Sequence, residues 1–148
     1  MPVFEQSFVV DAPLGAVRAF HGDTSALGVL SPPGTFVRLH AIEPLAEGSV
    51  SRFTLWLGPI PVPWTAVHRD VSDRGFTDVQ VSGPAASWAH RHTFTPLTDG
   101  RTRIDDRVEF AHKPGLGGLF TRVLFSRPNL LFLFGWRAFA TRRALRRA

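Results

Sequence analysis

Five side chains able to hold or move a proton, His68, Asp78, His90, His92 and Asp106, are gathered in the middle of a 148-residue chain. An imidazole beside a carboxylate can be a mutually satisfied buried pair, a couple in which the aspartate orients the histidine for proton transfer, or part of a metal-ligand set. Spacing decides whether the groups meet. The stretch GPAASWAHRHTF (83–94) opens on a Gly-Pro turn and continues with period-two alternation, the pattern of a strand. One face then carries Trp88, His90, His92 and Phe94, and the other Ala89, Arg91, Thr93 and Thr95. The second set tolerates water, so both histidines point inward beside large aromatics.

The following run extends the argument. In 101–111 the odd positions Arg103, Asp105, Arg107 and Glu109 are all charged, which turns Thr102, Ile104, Asp106, Val108 and Phe110 to the interior. A hairpin loop at Thr98-Asp99-Gly100 sets Asp106 opposite His92, and a turn at Gly83-Pro84 sets His92 opposite Asp78 and His90 opposite Gln80. The preceding strand presents Trp64, Ala66, His68 and Asp70 on one face, with a tight turn at 72–75 bringing His68 near Asp78 or Gln80. Arg52 and Trp56 join from one strand earlier. Opposed side chains stand about 4.5–5.5 Å apart at Cβ, so His68, Asp78, His92 and Asp106 form a polar row bordered by Trp56, Trp64, Trp88 and Phe94. The candidate pocket is this inner face: Arg52, Trp56, Trp64, His68, Asp78, Gln80, Trp88, His90, His92, Phe94, Asp106 and Phe110.

A purely structural Asp–His network accounts for the polar row, and so does a pocket using it as a hydrogen-bonding floor. A metal site from His68, His90, His92 and an aspartate lacks a helical ligand pair or a dedicated spacing, so no metal or other cofactor is expected. No serine stands beside the Asp-oriented histidines as a nucleophile, and no catalytic residue is assigned.

The elements needed to position these residues follow from composition and punctuation. The chain is 44% apolar, without repeats or low-complexity runs, and fits one domain over 1–148. Strand-like runs at 2–10, 36–42, 49–57, 62–72, 75–82, 86–96 and 101–111 predict a seven-stranded antiparallel sheet, in which the last six strands form a meander. Asp11-Ala12-Pro13 starts a short helix after the first strand, and Asp23-Thr24-Ser25 caps a second that Pro32-Pro33-Gly34 ends. Leu119, Phe120, Val123 and Leu124 have helical spacing, Pro128 interrupts, and 129–148 reads as a long helix packed on the sheet.

There is no cysteine, hence no disulfide or thiolate chemistry, and neither a secretory signal nor a membrane-length apolar run is evident; a cytoplasmic protein is expected. Residues 1–109 hold nine Arg against twelve acids, whereas 110–148 hold seven Arg, one Lys and no acid. Basicity confined to a tail, with one Lys in the whole chain, does not suit a nucleic-acid-binding face. The apolar run Leu130–Trp136 predicts a buried helix, with Arg142/Arg146 and Arg143/Arg147 pairs at its solvated end. The alternative is contact with an anionic membrane surface or a partner.

The residues Asp11-Ala12-Pro13, Leu30-Ser31-Pro32-Pro33, Trp64, Phe76, Asp78, Gln80, Gly83-Pro84, Trp88, His90, His92, Phe94, Thr102, Asp106, Val108, Phe110, Pro114-Gly115 and Phe134-Gly135-Trp136-Arg137 span nearly the whole chain. In these the sequence resembles the SRPBCC superfamily, the START-like, polyketide-cyclase-like proteins, and especially a bacterial branch also found fused to nucleotide-sugar-epimerase-like modules. Ala85-Ala86 stands where relatives place a bulky residue, and Ser126-Arg127-Pro128 breaks the terminal helix. The resemblance implies an α+β helix-grip fold: a curved seven-stranded antiparallel sheet, two short helices after strand 1, and a long C-terminal helix over a mostly apolar cavity. It also implies a lipid-like, aromatic or polyketide-like ligand, and covers binders, carriers and aromatase/cyclases alike.

The sequence therefore favours binding of a small hydrophobic molecule by a monomer or homodimer. A cyclase-like enzyme using a His–Asp pair and a lipid-surface or partner-interaction module acting through the basic tail are the alternatives. A continuous void of at least about 300 Å³ lined by Trp64, Trp88 and His92 separates the pocket readings from a solid core.

Overall fold

The computed structural model describes residues 2–23 and 26–145. The expected caps at Thr24 and Ser25, and the pairings of Arg146 and Arg147, lie outside those residues. The element order is β1 (Val3–Val10), α1 (Leu14–Gly22), α2 (Ala26–Leu30), β2 (Thr35–Ile42), β3 (Val50–Leu57), β4 (Ile60–Ser72), β5 (Gly75–Ser82), β6 (Ser87–Pro96), β7 (Thr102–Ala111), α3 (Leu116–Leu124) and α4 (Arg127–Ala144). The strands form one antiparallel sheet in the order β1-β7-β6-β5-β4-β3-β2, so β1 pairs with the last strand and the other five neighbour contacts are those of a meander. Alpha helix α4 lies against β1 and α2, and α1 against β6, the helix-grip arrangement.

The expected break between the two C-terminal helical segments falls at Phe125 and Ser126, and Pro128 sits in the first turn of α4, where its missing N–H is no loss. The terminal helix therefore starts at Arg127, two residues earlier than expected. Its burial is also one-sided: Leu130 and Phe134 are core residues, while Leu131, Phe132 and Phe139 are exposed. The apolar run is not wholly buried because α3 and the sheet cover only one flank of α4.

Two apolar clusters fill the inner face of the sheet. One holds Phe8, Val10, Val17, Phe76, Phe94, Ile104 and Ala138; the other holds Phe4, Val108, Phe110, Phe125, Leu130 and Phe134. Between them each strand of the sheet's centre contributes a polar residue. Gln6 lies between Phe4 and Phe8, Asp106 between Ile104 and Val108, and His90 and His92 between Trp88 and Phe94. On α4, Arg137 likewise lies between Phe134 and Ala138. A polar band thus crosses the sheet beneath α4, and the helix carries its own polar residue over it.

Candidate functional site

The band is built by strand pairing. Strands β6 and β7 pair as expected, with His92 opposite Asp106 and Phe94 opposite Ile104. Strands β5 and β6 are shifted by two residues from the expected register: Asp78 faces His90, and Phe76 faces His92. The cause is the side chain of Gln80, whose Nε2 donates to Ala85 O at 2.8 Å and whose Oε1 accepts from Ala85 N at 3.3 Å. This clasp widens the Gly83-Pro84 loop, and ladder pairing stops at Val79 and Ala89. Gly75 makes the other end tight: its φ is +141°, and a Cβ there would fall 1.8 Å from His92 O.

Hydrogen bonds run diagonally to the backbone pairing, as the sheet twist favours. His90 Nε2 donates to Asp106 Oδ1 at 2.8 Å, and His92 Nε2 to Asp78 Oδ2 at 2.9 Å. His92 Nδ1 lies 3.5 Å from Asp106 Oδ1, and His68 Nε2 lies 3.1 Å from Asp78 Oδ1. The second nitrogen of His68 meets Ser49 Oγ at 2.8 Å. The His90 and His92 rings stack at 3.9 Å, and Phe76 stacks on His92 at 4.3 Å.

Burial opposes the charge of both aspartates, but their histidines outweigh it. Asp78 is held well below the carboxylate range by His68 and His92, and Asp106 is held at about 2 by His90 and His92. Burial and the neighbouring His90 push His92 down against the pull of Asp78. Burial also opposes the imidazolium of His68, yet Asp78 raises it above the ordinary value.

A cavity of about 210 Å³ opens between this band, β3, α2 and the α3–α4 elbow. It is lined by Trp64, Trp88 and His92 as expected, but at about 210 Å³ it falls short of the roughly 300 Å³ expected of a ligand pocket, which restricts a guest to a compact one. Of the residues expected to line it, Trp64, His68, Asp78, Trp88, His90 and His92 do so. Asp106 stands behind His90 and His92, while Phe94 and Phe110 belong to the two apolar clusters on either side. Gln80 is occupied by the loop clasp.

Arg52 and Trp56 are corrections. The cavity wall from β3 is Ser51, Phe53, Leu55 and Leu57, so the even positions lie on the other face and Arg52 is exposed. Large apolar residues occur at both parities of β3, which left period two without a clear face to choose. Asp70 is a further correction: the chain takes a positive φ of 53° there, the register slips between Arg69 and Ser72, and Asp70 points to solvent while Val71 packs on the core.

Several polar residues of the cavity wall were not expected, Asp23, Ser31, Thr35 and Ser51 among them, and two of them, His21 and Arg137, carry titratable nitrogen. His21, at the end of α1, donates from Nδ1 to Val17 O at 3.0 Å and meets His92 edge-on at 5.8 Å. Burial first, then His92, lowers its pKa to about 4. Arg137 of α4 also lines the cavity. Its place beside Phe134 in the Phe134-Gly135-Trp136-Arg137 motif was the available signal, but helix rotation was needed to aim it.

The ligand atoms of Asp78, His90 and His92 all lie within 4.8 Å of one another, close enough to consider a metal ion. Nε2 of His92 is directed at Asp78 and Nε2 of His90 at Asp106, so a cation held through those nitrogens would displace both bonds, whereas His92 Nδ1 and Asp78 Oδ1 make no hydrogen bond.

No known family's sequence pattern matches the chain, and no curated protein is detectably similar to it in sequence. Solved structures are similar in fold. The Zhui aromatase/cyclase from Streptomyces sp. R1128 superposes with a TM-score of 0.70 at 16% identity, over 97% of this chain and 95% of that one. A START superfamily protein from Mycobacterium smegmatis gives 0.70 at 13% identity, over 97% and 96%. A nucleoside-diphosphate sugar epimerase from Corynebacterium glutamicum gives 0.68 at 23% identity, over 96% of this chain but 29% of the longer one.

Proposed function

From a chain with the START-like helix-grip fold, we propose a protein that binds a small hydrophobic molecule in the cavity between sheet and terminal helix. The observation that carries this reading is the cavity itself: about 210 Å³ walled by Trp64, Trp88, Phe53 and Phe125, with His–Asp pairs along one side. Apolar walls with few polar groups supply affinity by burial and orientation by hydrogen bonding. A compact aromatic or short acyl guest suits that volume better than a long lipid.

Trp64 and Trp88 line the cavity, so an arriving guest should change tryptophan fluorescence. Titration with 1-naphthalenemethanol and with 1-octanol should give saturable quenching, and native mass spectrometry of protein purified from cells should show a retained small molecule. A linear, unsaturable response to both alcohols, with no retained mass, would refute the reading. A cyclase-like reaction at His92 is less well supported, because its Nε2 is bonded to Asp78 and its Nδ1 is turned to Asp106.

One surface observation favours an additional membrane contact. Leu116, Leu119, Phe120 and Val123 of α3 are exposed together, in a segment with no acidic residue. On α4, within the segment expected to make such a contact, Leu131, Phe132 and Phe139 are exposed as well. Co-sedimentation with phosphatidylglycerol vesicles, lost in Leu119→Ser/Val123→Ser, tests it; equal sedimentation of both proteins would overturn it.

A further inference from the structure

The guanidinium of Arg137 lines the cavity from α4, and it makes no hydrogen bond or ion pair with any described residue. Its guanidinium carbon lies 5.6 Å from the centroid of the Phe134 ring, one turn away on the same helix. Two carboxylates lie in the band below and attract Arg137 without reaching ion-pair distance: Asp106 is bonded to His90, and Asp78 to His92 with His68 beside it. A guanidinium offers five N–H donors in a rigid fork and has no acceptor of its own. Arg137 is half-buried, and its donors, turned to a largely apolar wall, are free for an acceptor that enters the cavity.

The other polar groups of the wall sharpen the assignment. His68 faces Asp78, so its charge is answered. His21 is fixed as the Nδ1–H tautomer by Val17 O, which leaves Nε2 with a lone pair and no positive charge to offer a guest. Among the described residues of the cavity wall, Arg137 is therefore the cation with no carboxylate within hydrogen-bond or ion-pair distance, although Asp106 and Asp78 attract it from the band. Opposite it stand Phe53, Leu55, Trp64 and Trp88, which call for an apolar body.

We propose that the cavity takes an amphipathic organic acid, an aromatic or short acyl carboxylate whose head group accepts a forked pair of hydrogen bonds from Arg137. This rests on the cavity-binding reading above and names its ligand class. Carboxylate matches the guanidinium fork in plane and spacing, and charge-assisted bonds of this kind are shorter and stronger than neutral ones. Desolvation, which lowers the pKa of Arg137 although Asp106 and Asp78 oppose it, makes the pairing with an anion more favourable still.

The test compares matched pairs on the intact protein by tryptophan quenching and calorimetry: 1-naphthoate against 1-naphthalenemethanol, and octanoate against 1-octanol. Each acid should bind at least about tenfold more tightly than its alcohol. Arg137→Gln should abolish that ratio while leaving alcohol binding within about threefold, and Arg137→Lys should restore part of it. Equal affinities of acid and alcohol for the unaltered protein would overturn the proposal and leave the cavity reading standing; that arm needs no variant to fold. Binding of neither member of either pair would overturn both. An acid preference that survives in a folded Arg137→Gln would assign the anion to another group and overturn the role of Arg137.

Discussion

Replacing Asp106 by alanine should destabilise the folded protein by about 2–4 kcal/mol at pH 7. Asp106 is 5% exposed, accepts from His90 Nε2 at 2.8 Å, and lies 3.5 Å from His92 Nδ1. Its carboxyl is held at about 2 against 3.8 for an unperturbed aspartate, which at neutral pH corresponds to about 2 kcal/mol. Alanine also leaves the buried His90 N–H without its acceptor, and breaking such a buried pair costs up to about 3–5 kcal/mol. The sign with pH follows from the depressed value. The contribution is complete above about pH 4, where the unfolded aspartate is ionised, and is lost as pH falls toward 2. Urea melts of the natural and Asp106→Ala proteins from pH 7 to pH 2 should therefore show a gap that is widest above pH 4 and shrinks below it. A loss under about 0.5 kcal/mol at pH 7, or a gap independent of pH, would refute a buried, ionised Asp106 bonded to His90.

Gly75→Ala should cost about 3 kcal/mol or more in urea melts, since the new Cβ would meet His92 O at 1.8 Å on a backbone that favours glycine. A loss below about 1 kcal/mol would show that β5 and β6 can part there. Truncation before Arg127 should leave a chain without a folded core, seen as collapse of amide dispersion in NMR, because Leu130 and Phe134 seal one of the two apolar clusters. A dispersed spectrum from the shortened chain would show that α4 is an appendage. Zinc titration should leave Tm unchanged, because a cation held by Nε2 of His90 and of His92 would have to break their bonds to Asp106 and Asp78. Uptake of one equivalent with a rise in Tm would show a metal site at Asp78, His90 and His92.

Side-chain parity within single strands was legible from residue types alone. In β7 every odd position from 103 to 109 is charged, and in β6 Arg91 and the threonines leave only one face for the histidines, so a period of two places His90, His92 and Asp106 inward without further information. The Thr98-Asp99-Gly100 hairpin, being short, also set the β6–β7 register. Longer-range features were not so legible. The β5–β6 register moved by two residues because a side chain, Gln80, reached across the loop, and loop closure by a side chain has no periodic signature. In β3, Phe53, Leu55 and Leu57 compete with Trp56, and only the position of α2 and the α3–α4 elbow above the sheet selects the odd face. Local composition identified α4 as an apolar helix, but its apolar residues run around much of its circumference. Its rotation, and with it the aim of Arg137 into the cavity, was decided by Leu130, Phe134 and Ala138 packing against the two clusters. His21 meets His92 for the same reason: α1 packs on β6, a contact between segments about 70 residues apart in sequence that depends on burying shared apolar surface, not on any local pattern.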